Sequence, residues 1–254
     1  MAEIKKGKRM KRLIQKKLKK TKENLYYILS ALMIGLIVGG IDALFGRVLI
    51  AITDFRGRYI QIFIWFLPIA GLFICWMYHR FNEMSLKGMT LVLETAQGKR
   101  ADIPLALVPL VMVGTWITHL FGGSAGREGV AVQIGATLSH WFARRFKFAD
   151  NRTILLIAGM AAGFGGLFQT PFAAVFFAME VVVTGKMLYQ AFLPSLVAAV
   201  TASTFSNALG LEKFAVPLKQ SFNLSESKTM FYMVILGVSF GLTGRGVFSV
   251  AKKS

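Results

Sequence analysis

Cysteine is nearly absent from this chain, and acid is scarce. The single cysteine, Cys75, excludes a disulfide within the chain and says little about redox compartment. Twelve Asp and Glu stand against 30 Lys and Arg, for a net charge of +18. The three histidines, His79, His119 and His140, lack metal-ligand spacing and sit close to the ends of apolar runs. They read as interfacial or packed residues, so no metal is expected. No Ser/His, paired-Asp or His-Glu zinc arrangement lies in the apolar runs, which argues against an enzyme. Charged residues make up only 17% of the chain.

Apolar sequence fills the space. The chain is 55% hydrophobic over 254 residues, with a mean hydropathy of +0.57. That profile fits a multi-pass membrane protein rather than a soluble domain. Much of the positive charge is local: residues 1–22 carry eleven Lys and Arg, from Lys5 to Lys22, opposed only by Glu3. Residues 1–24 therefore read as a basic cytoplasmic arm, obeying the positive-inside rule and suited to anionic lipid head groups. Nucleic-acid binding is the alternative, but the arm has no interleaved aromatics and no nucleic-acid module follows, so no nucleic-acid partner is expected. The first apolar stretch is long and shows no small-residue cleavage site, which argues against a signal peptide.

Residues 25–254 read as the membrane domain. Leu25–Ile41 and Ala43–Thr53, interrupted by Asp42, fit one tilted helix. Asp54–Arg58 reads as a short polar turn, Tyr59–Tyr78 as a second span, and Phe81–Lys87 as a connector. Gly88–Ala96 is too short to cross a bilayer, Gln97–Asp102 reads as a turn, and Ile103–Phe121 as a third full span. Val130–Phe142 is short and amphipathic and closes in a basic run that includes Lys147. Thr153–Phe168 is rich in small residues that allow close helix approach. Gln169-Thr170-Pro171 breaks that run before Phe172–Val183. Met187–Leu209 is long enough to span, 210–228 reads as a polar loop containing Pro217, and Thr229–Val250 is the last run. The expected architecture is all-α, with eight or nine tilted and broken helices. Half-length pieces ending inside the membrane are how transporters build a midplane site from helix ends.

One segment concentrates chemistry. Residues 122–130 read Gly-Gly-Ser-Ala-Gly-Arg-Glu-Gly-Val, a glycine-dense turn between two apolar runs. Its glycines let the backbone bend inside a hydrophobic layer. The helix that follows would present free N–H groups, a ready anion site. Glu128 is costly to keep charged there, and so marks a functional position by default. A carboxylate and an anion would compete for the same amides, so protonating Glu128 would favour anion entry. The plainer alternative is an acidic cap at a helix start.

Gly126-Arg127-Glu128-Gly129-Val130, followed by Ala131-Val132-Gln133-Ile134-Gly135, resembles the GREGP-x-VQIG motif of the chloride channel and transporter (CLC) family. Gly159-Met-Ala-Ala-Gly163 through Pro171 resembles that family's GxAAGxxxxFxxP stretch, and Phe172–Glu180 its apolar piece ending in an acid. The two motifs stand in the family's order and spacing, and the resemblance covers roughly residues 25–250. The resemblance implies that Glu128 is the external gating glutamate, carrying the proton and gating the anion. It implies that Gly126, Arg127, Gly129 and Val130 form the anion loop, with Arg127 shaping the turn or the local potential. It also implies a homodimer in a bacterial cytoplasmic membrane, meeting around Gln169–Val183 and Met187–Leu209, with no cofactor.

Three departures from the family pattern point within it. The GSGIP stretch that offers a serine hydroxyl corresponds to Lys87-Gly88-Met89-Thr90-Leu91, with Met89 near the serine's place. Val130 replaces the usual proline, and Val181 stands where chloride/proton exchangers carry an internal glutamate. These changes resemble the fluoride/proton antiporter branch, which implies fluoride export and a central site lined by Met89. Packing remains the alternative for Met89, and Glu180 reads either as a structural acid or as a proton relay. The other transport reading is a chloride channel or chloride/proton exchanger. Family members carry two inverted halves, whereas only the first half and the start of the second match here. The chain is therefore expected to be truncated or completed by another chain, and poorly active alone; a non-transporting half-length membrane protein is the reading outside transport.

Overall fold

The structure is a computed structural model describing residues 2–100, 102–146, 152–182, 185–213 and 226–251, with side chains described from 24 to 247. Lys147, the greater part of the 210–228 loop including Pro217, and residues 252–254 lie outside the described residues, as do the side chains of the basic arm. The described residues contain nine α-helices and no strand. They are α1 (Ala2–Phe63), α2 (Leu67–Phe81), α3 (Gly88–Ala96), α4 (Leu107–Leu120), α5 (Glu128–Arg145), α6 (Arg152–Phe168), α7 (Pro171–Val181), α8 (Phe192–Ala208) and α9 (Ser227–Ala251). The chain divides into two units, residues 1–213 and 214–254. The second holds α9, whose Ser227–Val247 stretch is apolar enough to cross a membrane.

In the first unit α6 is the central helix, packed by α5, α8, α1 and α7. Every residue from Ile154 to Gly163 is buried. Small residues make this possible. A Cβ built on Gly163 would stand 2.0 Å from the Ala131 carbonyl oxygen of α5, and one on Gly135 would stand 1.9 Å from that of Gly159. These two helices therefore meet backbone to backbone. The α1–α8 contact repeats the device, with Gly35 and Gly39 each 2.7 Å, at the Cβ position, from the carbonyl oxygens of Ala198 and Ala202.

Two expectations are corrected. Asp54–Arg58 is not a turn, because α1 continues through it to Phe63 and departs from helical geometry only at Tyr59 (φ −131°, ψ 16°). Helical bonding satisfies that backbone, and Arg56 finds a partner by donating from Nη1 to the His119 carbonyl at the end of α4 (3.2 Å). Ile103–Phe121 is not one full span, because α4 has 14 residues, about 21 Å against a hydrocarbon layer of about 30 Å. Pro104 disfavours helix in Ile103, and the chain turns through Leu107 N–H to Pro104 O (3.0 Å) before α4 begins. The short pieces expected at Gly88–Ala96, at 153–168 and after Pro171 are helices, with Gln169 at φ +57° making the break.

Candidate anion site

The glycine-dense turn begins by closing α4. Gly122 adopts φ +81°, its N–H meets the His119 carbonyl (3.2 Å), and the Gly123 N–H meets that of Thr118 (2.8 Å). This is the Schellman arrangement, which satisfies the last carbonyls and turns the chain sharply. A side chain at Gly122 would face both the left-handed backbone and Ile60 Cδ1, 2.7 Å from the Cβ position.

Helix α5 then starts at Glu128. Its first intrahelical bond runs from the Ala131 N–H to the Arg127 carbonyl (3.0 Å), and no side chain caps it. The amides of Glu128, Gly129 and Val130 thus precede any helical acceptor. Glu128 is exposed, and its Oε2 lies 3.0 Å from the position of a Gly126 Cβ. The carboxylate is folded back over a residue that has no side chain to obstruct it. Val130 is buried and Arg127 is partly buried.

The start of α3 arrives from another direction. Asn82, in an extended conformation, accepts from the Ser85 N–H (3.1 Å), and a short 3-10 turn over Glu83–Lys87 follows. Gly88 at φ +50° then redirects the chain into α3, whose first turn holds Met89 and Thr90 and carries no side-chain cap. The Met89 side chain packs against the cluster containing Leu91, Val92 and Leu107.

One side chain links the two starts. Gln133 Oε1 stands 3.6 Å from the position a Gly88 Cβ would occupy, and Nε2 stands 3.8 Å from the equivalent position at Gly129. The sequence segments 87–91 and 126–130 are thereby brought to one place. In the sequence alone Gln133 is only one position of the motif that follows Gly129. Its spacing of four from Gly129 was the available signal, since i and i+4 share a helix face.

Other acids lie elsewhere. Asp42 is fully buried on α1, its Oδ2 2.5 Å from a Gly166 Cβ position, and neither oxygen has a hydrogen-bond partner. Glu94 pairs with Arg100, and Glu180 is exposed at the end of α7. Asp102, on the loop between α3 and α4, meets Arg144 and His140 Nε2 (3.2 Å). Partial burial pushes its carboxyl up, but the Arg144 hydrogen bond and charge, with His140, outweigh that and hold it below the usual range. No group of three or more His, Cys, Asp or Glu that could hold a metal occurs among the described residues.

A sequence model described as voltage gated chloride channel matches residues 70–254. The chain is 34% identical over 213 residues to a chloride/fluoride channel protein of Pseudomonas syringae pv. tomato, covering 84% of this chain and 47% of that protein. It superposes on the crystal structure of a CLC-type fluoride/proton antiporter with a TM-score of 0.80 and 46% identity, covering 87% of this chain and 56% of the other. A slow cyanobacterial Cl⁻/H⁺ antiporter, 24% identical with a TM-score of 0.69, shares the fold over 88% of this chain and 57% of its own. The chain spans about half the length of these relatives.

Proposed function

This chain belongs to the voltage gated chloride channel family, and from that premise we propose that it serves proton-coupled halide transport, with fluoride as the exported ion and a proton moving in exchange. The observation that carries the reading is the convergence of the α3 and α5 starts on Gln133, with Glu128 at the first position of α5. The first amides of α5, and those of α3 that follow Gly88 (whose own N–H donates to the Ser85 carbonyl), offer an anion hydrogen bonds and the positive ends of two dipoles. In this reading Gly126, Arg127, Gly129 and Val130 shape the loop, and Met89 sets the width of the central position. Glu128 takes the anion's place when ionised and leaves it when protonated. The likeness to the fluoride/proton antiporter at 46% identity favours fluoride over chloride.

The protein is proposed to lie in the cytoplasmic membrane as a multi-pass protein with its basic arm inside. Residues 25–254 would form the membrane domain, the first repeat of the family plus the start of the second. Homodimerisation through α7 and α8 is part of the proposal, supported by the exposed Phe172, Phe176, Leu193 and Val200.

The test is ion flux from liposomes holding the protein expressed from its native gene. Fluoride efflux should exceed chloride efflux and should drive proton uptake. Glu128→Gln, a fixed neutral form, should retain anion flux and lose the proton movement. Chloride in preference to fluoride would turn the assignment to a chloride channel or exchanger. A protein that inserts and moves neither ion would be a non-transporting member.

A further inference from the structure

Gln133 lies deep in the wall between the two helix starts, 8% exposed. Its main-chain carbonyl accepts from Thr137 Oγ1 (2.7 Å), but its carboxamide has no hydrogen-bond partner among the described residues. A helical side chain leans toward the N-terminus of its own helix, so Gln133 reaches back along α5 toward the first-turn amides. Its Nε2 stands 3.8 Å from the Cβ positions of both Gly88 and Gly129, so the carboxamide lies within van der Waals reach of both helix starts. Its carboxamide atoms are not among the fully shielded ones, so the two N–H donors remain open to an acceptor that reaches them from outside the protein. Met89 at the α3 start offers only a thioether, which donates nothing.

We propose that Gln133 is a ligand of the transported anion, its carboxamide donating an N–H to an ion held between the first turns of α3 and α5, and that this donor favours the small, charge-dense halide. The inference rests on the transport reading above and adds a residue to it. A neutral N–H donor gains most from the anion with the most concentrated charge, so its loss discriminates between halides. A purely structural Gln133 would, when replaced, weaken both halides alike or neither.

The test is halide binding to the purified protein by calorimetry at fixed pH, with fluoride and chloride as probes. Gln133→Met keeps the side chain's length and removes the donor. It should lower fluoride affinity about tenfold, the scale of one lost hydrogen bond, and chloride affinity by clearly less. Selective glutamine labelling gives a second measurement on the wild-type protein, independent of whether the variant folds. The Gln133 side-chain N–H resonances, assigned by contacts to Gly88 and Gly129, should shift on fluoride titration. A wild type that binds neither halide overturns the transport reading, and this inference with it. A wild type that binds fluoride while Gln133→Met keeps the same fluoride-to-chloride ratio, or while the Gln133 resonances stay put, overturns this inference alone.

Discussion

At the scale of single residues, acid is rare enough that each carboxylate has a separable situation. Glu128 leads a helix, Asp42 is enclosed without a partner, and Asp102 is tied at a loop. Only Asp102 offers a simple pH test. A carboxyl held below its unfolded value contributes stability above that value, about 3.9, and loses it as pH falls through the folded one. Its side chain is 51% exposed, so screening limits the contribution to under about 1 kcal/mol. Asp102→Asn should therefore melt slightly below wild type at neutral pH, with the difference beginning to close below about pH 4; a gap that does not narrow on further acidification would rule out the ion pair as its source. The place of Glu128 at a helix start was legible in the sequence, because a glycine-dense turn between two apolar runs marks where the next helix begins. Gln133 was not, because a glutamine in a helix carries no chemistry until its neighbours are known.

At the scale of elements, the short pieces around the site follow from glycine and proline, and the close backbone approach of α5 to α6 from Gly135, Gly159 and Gly163. Gly163→Val would push a side chain against the Ala131 carbonyl, which cannot rotate away as a side chain could. The loss should reach or exceed the upper end of overpacking costs, about 3 kcal/mol, and show as aggregation or a sharply lower melting temperature. The contrast is Gly71, mid-helix in α2, where an added Cβ meets nothing within 4 Å. Gly71→Ala should be neutral or stabilising by up to about 1 kcal/mol. Comparable losses at both positions would mean that close backbone approach is not what holds α5 to α6. Two helix boundaries escaped sequence reading for definite reasons. The charges of Asp54–Arg58 suggested a turn, but an exposed helix tolerates charge, and Arg56 has a carbonyl to cap. The apolar run from Ile103 suggested a span, but Pro104 delays the helix whatever the hydropathy.

At the scale of the whole molecule, the proposed orientation rests on eleven basic residues within positions 1–22. Trypsin should remove the arm in inside-out vesicles and leave it intact in right-side-out ones; the reverse pattern would invert the proposed topology and place Glu128 against the opposite compartment. The sequence by itself determined that the chain is helical and apolar, that it breaks around Gln169-Thr170-Pro171, and which family it joins. Those properties are local: hydropathy, glycine and proline act on their own few residues. Only the tertiary structure decided that the turns at 87–91 and 126–130 meet on one carboxamide, and that Asp42 is shut away beside Gly166. Such meetings depend on how closely helix backbones approach, a distance set where glycine meets the backbone of an alanine or another glycine far along the chain.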